Sequence, residues 1–237
     1  MEDDALGRLL ATSGPPAASR DYGPDRDHVF EHYGEGGSRR LVLIHGGYFR
    51  PSIDRAHARP MARALADQGW EVILPEYRRV PGNPFATVSD LRDLDRDLGT
   101  VRPTVWVGHS AGGLLALWRA VVSGLAPLPT LALAPVAHLA IAARERLGAG
   151  AISDWMGGGP DEVPGRYAAL NPGLRLPPAP APLLLLHGAD DQTVPPEQST
   201  DSPWPASVLA GAHHYDLIDP DSRVWPQVLQ ALELLLP

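Results

Sequence analysis

The sequence predicts an α/β fold, a mostly parallel central sheet with helices on both faces. Three observations carry that reading. Five short apolar runs recur along the chain: "RLVLIHGG" (40–47), "WEVILPEY" (70–77), "PTVWVGHS" (103–110), "TLALAPVA" (130–137) and "PLLLLHGA" (182–189). They lack polar alternation and stop at Gly, Pro or a polar residue, as strands buried on both faces do. Helical patterns fill the gaps between them, and strand alternating with helix points to a doubly wound sheet. At 237 residues the chain is long enough for one large domain over 1–237.

Each element has its own justification. Residues 1–28 are rich in Pro, Gly and Asp and show little periodicity, which predicts an arm wrapped on the surface or partly disordered. "HARPMARALADQG" repeats Met61, Leu65 and Ala66 at helical spacing and stops at a glycine. "PFATVSDLRDLDRDLG" puts Phe85, Val88, Leu91, Leu94 and Leu98 on one apolar face. "AGGLLALWRAVVSG" follows the third run, and "SRVWPQVLQALELLL" closes the chain with Pro226 in its first turn. A further strand is expected near Ser207–Leu209. Residues 138–181 are longer than one crossover helix needs, and an insertion at the carboxyl edge of a parallel sheet predicts a small lid ahead of the next strand, with a solvent-exposed excursion held by proline as the alternative. No repeat or linker divides the chain.

Composition excludes several chemistries. The formal charge of −8 disfavours a nucleic-acid partner. Cysteine is absent, so there is no thiol nucleophile, disulfide or thiolate metal site. All 20 basic residues are arginine, and without lysine there is no Schiff base, serine–lysine dyad or P-loop. No apolar span reaches membrane length, and the acidic start lacks a basic leader region, so a cytoplasmic protein without a membrane partner is expected. No strong metal-ligand spacing occurs, and neither metal nor cofactor is expected.

What remains is nucleophilic chemistry on oxygen. "VWVGHSAGG" contains Gly-x-Ser-x-Gly at Gly108, Ser110 and Gly112. With 24 glycines and 12 serines in 237 residues, chance supplies about 0.12 such matches, so the pentapeptide alone is weak. Its setting is stronger: it joins a buried strand to a helix, where serine sits on a strained corner and the helix N-terminus faces developing negative charge. Serine then needs a base oriented by a carboxylate, in the order Ser, acid, His for this strand–turn–helix setting. "LLLLHGADDQTVP" supplies Asp190 and Asp191, and "GAHHYD" supplies His213 and His214, both beyond strands at the edge that carries Ser110. After the first run, His45, Gly46, Gly47 and Tyr48 form a loop whose amides can approach a reacting carbonyl, with the amide of Ala111 as partner donor.

On "HGGYFR", "PEYRRVPGNPF", "GHSAGGLLALW", "LLLLHGADDQTVP" and "GAHHYDLIDP", the chain resembles the α/β-hydrolases over residues 40 to about 220. Within them it is most similar to the kynurenine formamidase-like branch, which is related to hormone-sensitive-lipase-type esterases. The resemblance implies cofactor-free hydrolysis of a small acyl ester or amide, N-formylkynurenine being one candidate substrate. It implies Ser110 as nucleophile, Asp191 rather than Asp190 as acid, His214 (directly before an aromatic) rather than His213 as base, and an oxyanion hole from Gly47, Tyr48 and Ala111. The rival expectations are a short-chain carboxylesterase and a noncatalytic ligand-binding protein. One departure concerns the substrate: where such relatives often carry Asp-Leu after the fourth run, this chain has His138-Leu139.

Tyr48, Phe49, His109, His138 and Trp155 are the candidate substrate-binding residues; for Tyr48, Phe49, Trp155 and Met156 core or lid packing is at least an equal expectation, and His109 also reads as a packing or pocket-wall residue. His45 and His187, in His-Gly corners, are expected to hydrogen-bond loop backbone. Arg50 reads as a surface residue, with a substrate carboxylate as the alternative. The oligomeric state, homodimer included, stays open.

Overall fold

A computed structural model of the protein describes residues 2–99, 104–121, 124–175 and 179–236. The elements run α1 (Glu2–Ala11), β1 (Ala18–Asp21), β2 (Val29–Tyr33), β3 (Arg39–Ile44), α2 (Arg59–Asp67), β4 (Trp70–Pro75), α3 (Pro84–Leu98) and β5 (Thr104–His109). Then come α4 (Ala111–Val121), β6 (Thr130–Leu133), α5 (Leu139–Arg144), α6 (Leu147–Met156), α7 (Pro164–Leu170), β7 (Leu183–Gly188), α8 (Glu197–Thr200), β8 (Ala206–Leu209) and α9 (Trp225–Leu234). The eight strands form one sheet in the order β1-β2-β4-β3-β5-β6-β7-β8. Pairs β1–β2 and β2–β4 are antiparallel, and every other pair is parallel.

The apolar runs become strands because both faces are covered. On β3, Leu41 and Leu43 pack into one cluster with Met61 and Leu65 of α2 and Val228 and Leu232 of α9. Val42 and Ile44 face the opposite cluster, with Leu91 and Leu94 of α3 and Leu114 and Leu115 of α4. Side chains alternate across a strand, so a two-sided core needs apolar residues at every position. The fourth run ends early, at Leu133, where Ala134 turns left-handed (φ 45°) ahead of Pro135. Pro226 lies in the first turn of α9, and Gly69 follows α2 with φ 88°.

Two expectations need correction. The arm at 1–28 is not irregular: α1 buries Ala5 and Leu9 in the core, and β1 forms the sheet's antiparallel edge. β2 was not foreseen at all. Phe85 leaves the apolar face of α3 and is 47% exposed, while Val88, Leu91 and Leu94 are buried as expected. The stretch 138–181, whose residues 176–178 lie outside the described residues, is largely helical. Leu139, Ile152, Trp155, Met156 and Leu170 join the core cluster beneath α3 and α4. No described helix is long and apolar enough to cross a membrane.

Candidate active site

Ser110 stands between β5 and α4 with φ 58°, in the left-handed region. That conformation costs an L-residue about 1–2 kcal/mol and persists only where the surroundings impose it. The flanking glycines permit the corner. A Cβ on Gly108 would sit 2.1 Å from the Gly112 carbonyl oxygen, and one on Gly112 would sit 2.1 Å from that of Ile44. The Ser110 amide donates to Leu133 O (2.9 Å), tying the corner to the neighbouring strand β6. As the first residue of α4, Ala111 has an amide with no acceptor within its own helix.

The adjacent acids separate cleanly. Asp191 is buried, whereas Asp190 is exposed and offers its main-chain carbonyl to His213 Nδ1 (3.2 Å). Asp191 Oδ1 accepts from the amides of Thr193 (2.9 Å) and Val194 (2.8 Å). Its Oδ2 accepts from His214 Nδ1–H at 2.7 Å and lies 3.2 Å from His187 Nε2, which also donates to Val194 O (2.9 Å). Burial alone would raise the Asp191 carboxyl, but the hydrogen bonds from His187 and His214, the His214 ring and the Val194 amide outweigh it. The group is held well below the usual carboxylate range. With Nδ1–H committed to Asp191, Nε2 is the basic nitrogen of His214.

His214 is locked from its other sides as well. His109 Nε2–H donates to the His214 carbonyl (3.0 Å), with the two rings 4.5 Å apart, and Tyr215 meets the His214 ring edge-on at 5.1 Å. Burial, then the neighbouring His214 and His57, push His109 well below its ordinary value, so it is neutral. The paired histidines thus divide: His214 is buried on Asp191, and His213 donates its amide to Asp216 Oδ2 (2.8 Å).

The loop after β3 runs directly past the serine. A Cβ on Gly46 would lie 3.0 Å from Ser110 Cβ, and Gly47, Tyr48 and Phe49 take φ of 123°, 54° and 54°. Three consecutive left-handed residues need external support, and two sources supply it. Beneath the loop, His45 Nδ1 contacts Gly46 O (2.6 Å), its Nε2 contacts Glu76 Oε1 (3.0 Å), and Tyr77 stacks on its ring at 4.6 Å. Glu76 also takes Arg79 and Arg55, and Arg55 bridges onward to the buried Glu31. Burial would raise the Glu76 carboxyl, but His45 and Arg79 hold it well below the carboxylate range. Above the loop, Phe49 stacks on Trp155 at 3.9 Å and 6°, and Trp155 Nε1–H donates to Thr87 Oγ1 (3.1 Å). Tyr48 packs over Gly148, whose added Cβ would meet the ring at 2.2 Å, and Arg50 donates to Gly148 O (2.7 Å). Arg50 is therefore a tie to the insertion, not a surface residue.

These elements enclose a cavity of about 40 Å³ lined by Ser110, His214, His109, Gly47 and Tyr48. Three further expectations fall outside it. Phe49 and Trp155 form the stacked support behind Tyr48 and do not line the cavity. His138 also lies outside it: its amide donates to Gln198 Oε1 (2.8 Å) and its ring packs against Gly173. Conversely, Leu6, Ile53, His57 and Tyr215 line the cavity without having been singled out. Leu6 arrives on α1, and His57 on the 3-10 turn Arg55–Ala58, stabilised by Asp54, whose side chain accepts from the Ala56 amide (2.9 Å). Among the described residues no group of three or more His, Asp or Glu could hold a metal ion.

Solved structures of similar shape share this fold at low identity. An esterase B from Lactobacillus rhamnosis aligns at TM-score 0.72 and 18% identity, covering 99% of this chain and 89% of that one. A putative thioesterase from Silicibacter sp. TM1040 gives TM-score 0.72 and 18% identity, with 96% and 93% covered. A hyperthermophilic esterase from the archaeon Pyrobaculum calidifontis gives 0.70 and 20%, with 98% and 90% covered. No curated protein matches the chain. The Alpha/beta hydrolase family matches residues 41–227, more than three quarters of the sequence, and the chain belongs to that family.

Proposed function

We propose that the chain is a serine hydrolase of short acyl groups, with Ser110 as nucleophile, His214 as base and Asp191 as the orienting acid. The observation that carries this reading is the 2.7 Å bond from His214 Nδ1–H to the buried Asp191, beside a serine held left-handed in the same cavity. Ser110 Oγ attacks the carbonyl carbon while His214 Nε2 takes its proton, and Asp191 steadies the imidazolium. The carbonyl oxygen becomes negative and takes the amide hydrogens of Gly47, Tyr48 and Ala111. His214 returns the proton to the leaving oxygen or nitrogen, which departs as alcohol or amine. Water, deprotonated by His214, then releases the acid from Ser110 by the same steps.

Cavity size bears on the substrate. The cavity beside Ser110 is small, about 40 Å³, which supports a short acyl group. The esterase neighbours support a short-chain carboxylesterase. The small cavity and the HGGY loop support the second reading, a formamidase acting on an aryl formamide such as N-formylkynurenine. Ser110→Ala tests the shared chemistry. Hydrolysis of p-nitrophenyl acetate is expected to fall to the buffer rate while the thermal midpoint is kept; a variant with full activity rejects the assignment.

A further inference from the structure

We propose that His57 determines specificity by accepting a hydrogen bond from the N–H of an amide leaving group, which favours secondary amides over esters of the same acyl size. The inference rests on the serine hydrolase reading above and deepens it. Three imidazoles line the cavity with Ser110, and two of them are committed. His214 is held by Asp191 through Nδ1 and keeps Nε2 for the serine proton. His109 spends its Nε2–H on the His214 carbonyl, and its Nδ1 is sealed in the interior. His57 differs from both.

A neutral imidazole carries one N–H and one lone pair, so one ring nitrogen of His57 is an acceptor. Neither ring nitrogen of His57 is among the sealed, partnerless nitrogens of the described interior, and the residue lines the cavity beside Ser110. The ring is fixed edge-on to His45 at 5.9 Å, on a turn pinned by Arg55 to Glu31 and Glu76. Burial, with His45 nearby, pushes the His57 pKa down to about 3, so the acceptor persists at neutral pH.

A fixed acceptor beside the nucleophile separates two leaving groups. A secondary amide presents an N–H, whereas an ester oxygen has no hydrogen and meets the lone pair with its own. The distinction grows as the carbonyl becomes tetrahedral. Amide conjugation is lost, the nitrogen lone pair turns to receive the proton held by His214, and the N–H keeps a partner on His57. An interaction made best at that point raises kcat.

Formanilide and phenyl formate test the idea, since they share acyl group and ring and differ only in N–H against O. The ratio of their kcat/KM values is expected to fall about tenfold in His57→Phe, as loss of one neutral hydrogen bond predicts. The fall should lie in kcat, and His57→Gln, whose amide oxygen is an acceptor, should recover part of the ratio. A ratio within twofold of the parent in His57→Phe overturns the proposal, and so does a parent that cleaves phenyl formate but not formanilide. If His57→Phe does not fold, a His57→Gln ratio that is unchanged or abolished decides against it equally. Failure of the parent on phenyl formate as well overturns the hydrolase reading itself, and this inference with it.

Discussion

Asp190 and Asp191 are chemically identical and one peptide bond apart, yet only one has the surroundings of an orienting acid. Asp191 receives two main-chain amides on one oxygen and His214 on the other, while Asp190 faces solvent. Replacing Asp191 by Asn keeps the shape but offers an amide where His214 needs an acceptor, which permits the wrong imidazole tautomer. Asp191→Asn should lower kcat for p-nitrophenyl acetate by about 10⁴-fold. Asp190→Asn, a change at an exposed position, should stay within about twofold. Steady-state assays of the two variants side by side check this; equal losses would mean that the register of the acid is wrong. The sequence alone narrows the proposed acid to this pair, and burial distinguishes the two.

At the scale of elements, legibility followed hydrophobic pattern. β3 to β7 read directly as apolar runs, because burial on both faces leaves no room for polar positions. β8 was foreseen near Ser207–Leu209 and spans Ala206–Leu209. β1 and β2 gave no such signal. β1 is exposed at all four residues, and β2 carries Glu31, fully buried but paired with Arg55 and Arg59 from elsewhere in the chain and accepting from Tyr33 of its own strand. A charge paired across such a distance in sequence looks like a surface charge. In α1 the pair Ala5 and Leu9 has i, i+4 spacing, but the Pro- and Gly-rich residues behind it masked a helix of ten residues. The strand-end placements of Ser110, Asp191 and His214 were legible because strand–loop corners are marked by glycine and motif spacing. His57, on a four-residue 3-10 turn, has no periodicity to betray it. Phe49 and Trp155 are distant in sequence, and only the folded insertion reveals that they stack on each other.

Across the whole molecule, buried ionisable groups concentrate beneath the candidate site, and they set the response to acid. His57, with a folded pKa of about 3, and His109, also pushed down, refuse protons that the unfolded chain accepts below its ordinary histidine value of about 6.5. Their contribution is complete above that value and is lost as pH falls toward the folded pKa. His57 alone accounts for roughly 2 kcal/mol of that loss at pH 5.0, from 1.36 kcal/mol per pH unit. Glu76 and Asp191, held low, add their own losses below about pH 4.5. Urea unfolding at pH 7.5 and pH 5.0 should therefore show a clear fall in stability, reduced in His57→Phe. Equal stability at both values would contradict the buried neutral imidazoles. The same folded arrangement supports the proposal that Ser110 is an activated nucleophile. Incubation with a fluorophosphonate, followed by intact mass and peptide mapping, tests it most directly. One stoichiometric adduct on Ser110, absent from Ser110→Ala, is the expected result; an unlabelled protein, or label on another residue, would rule out Ser110 as the nucleophile.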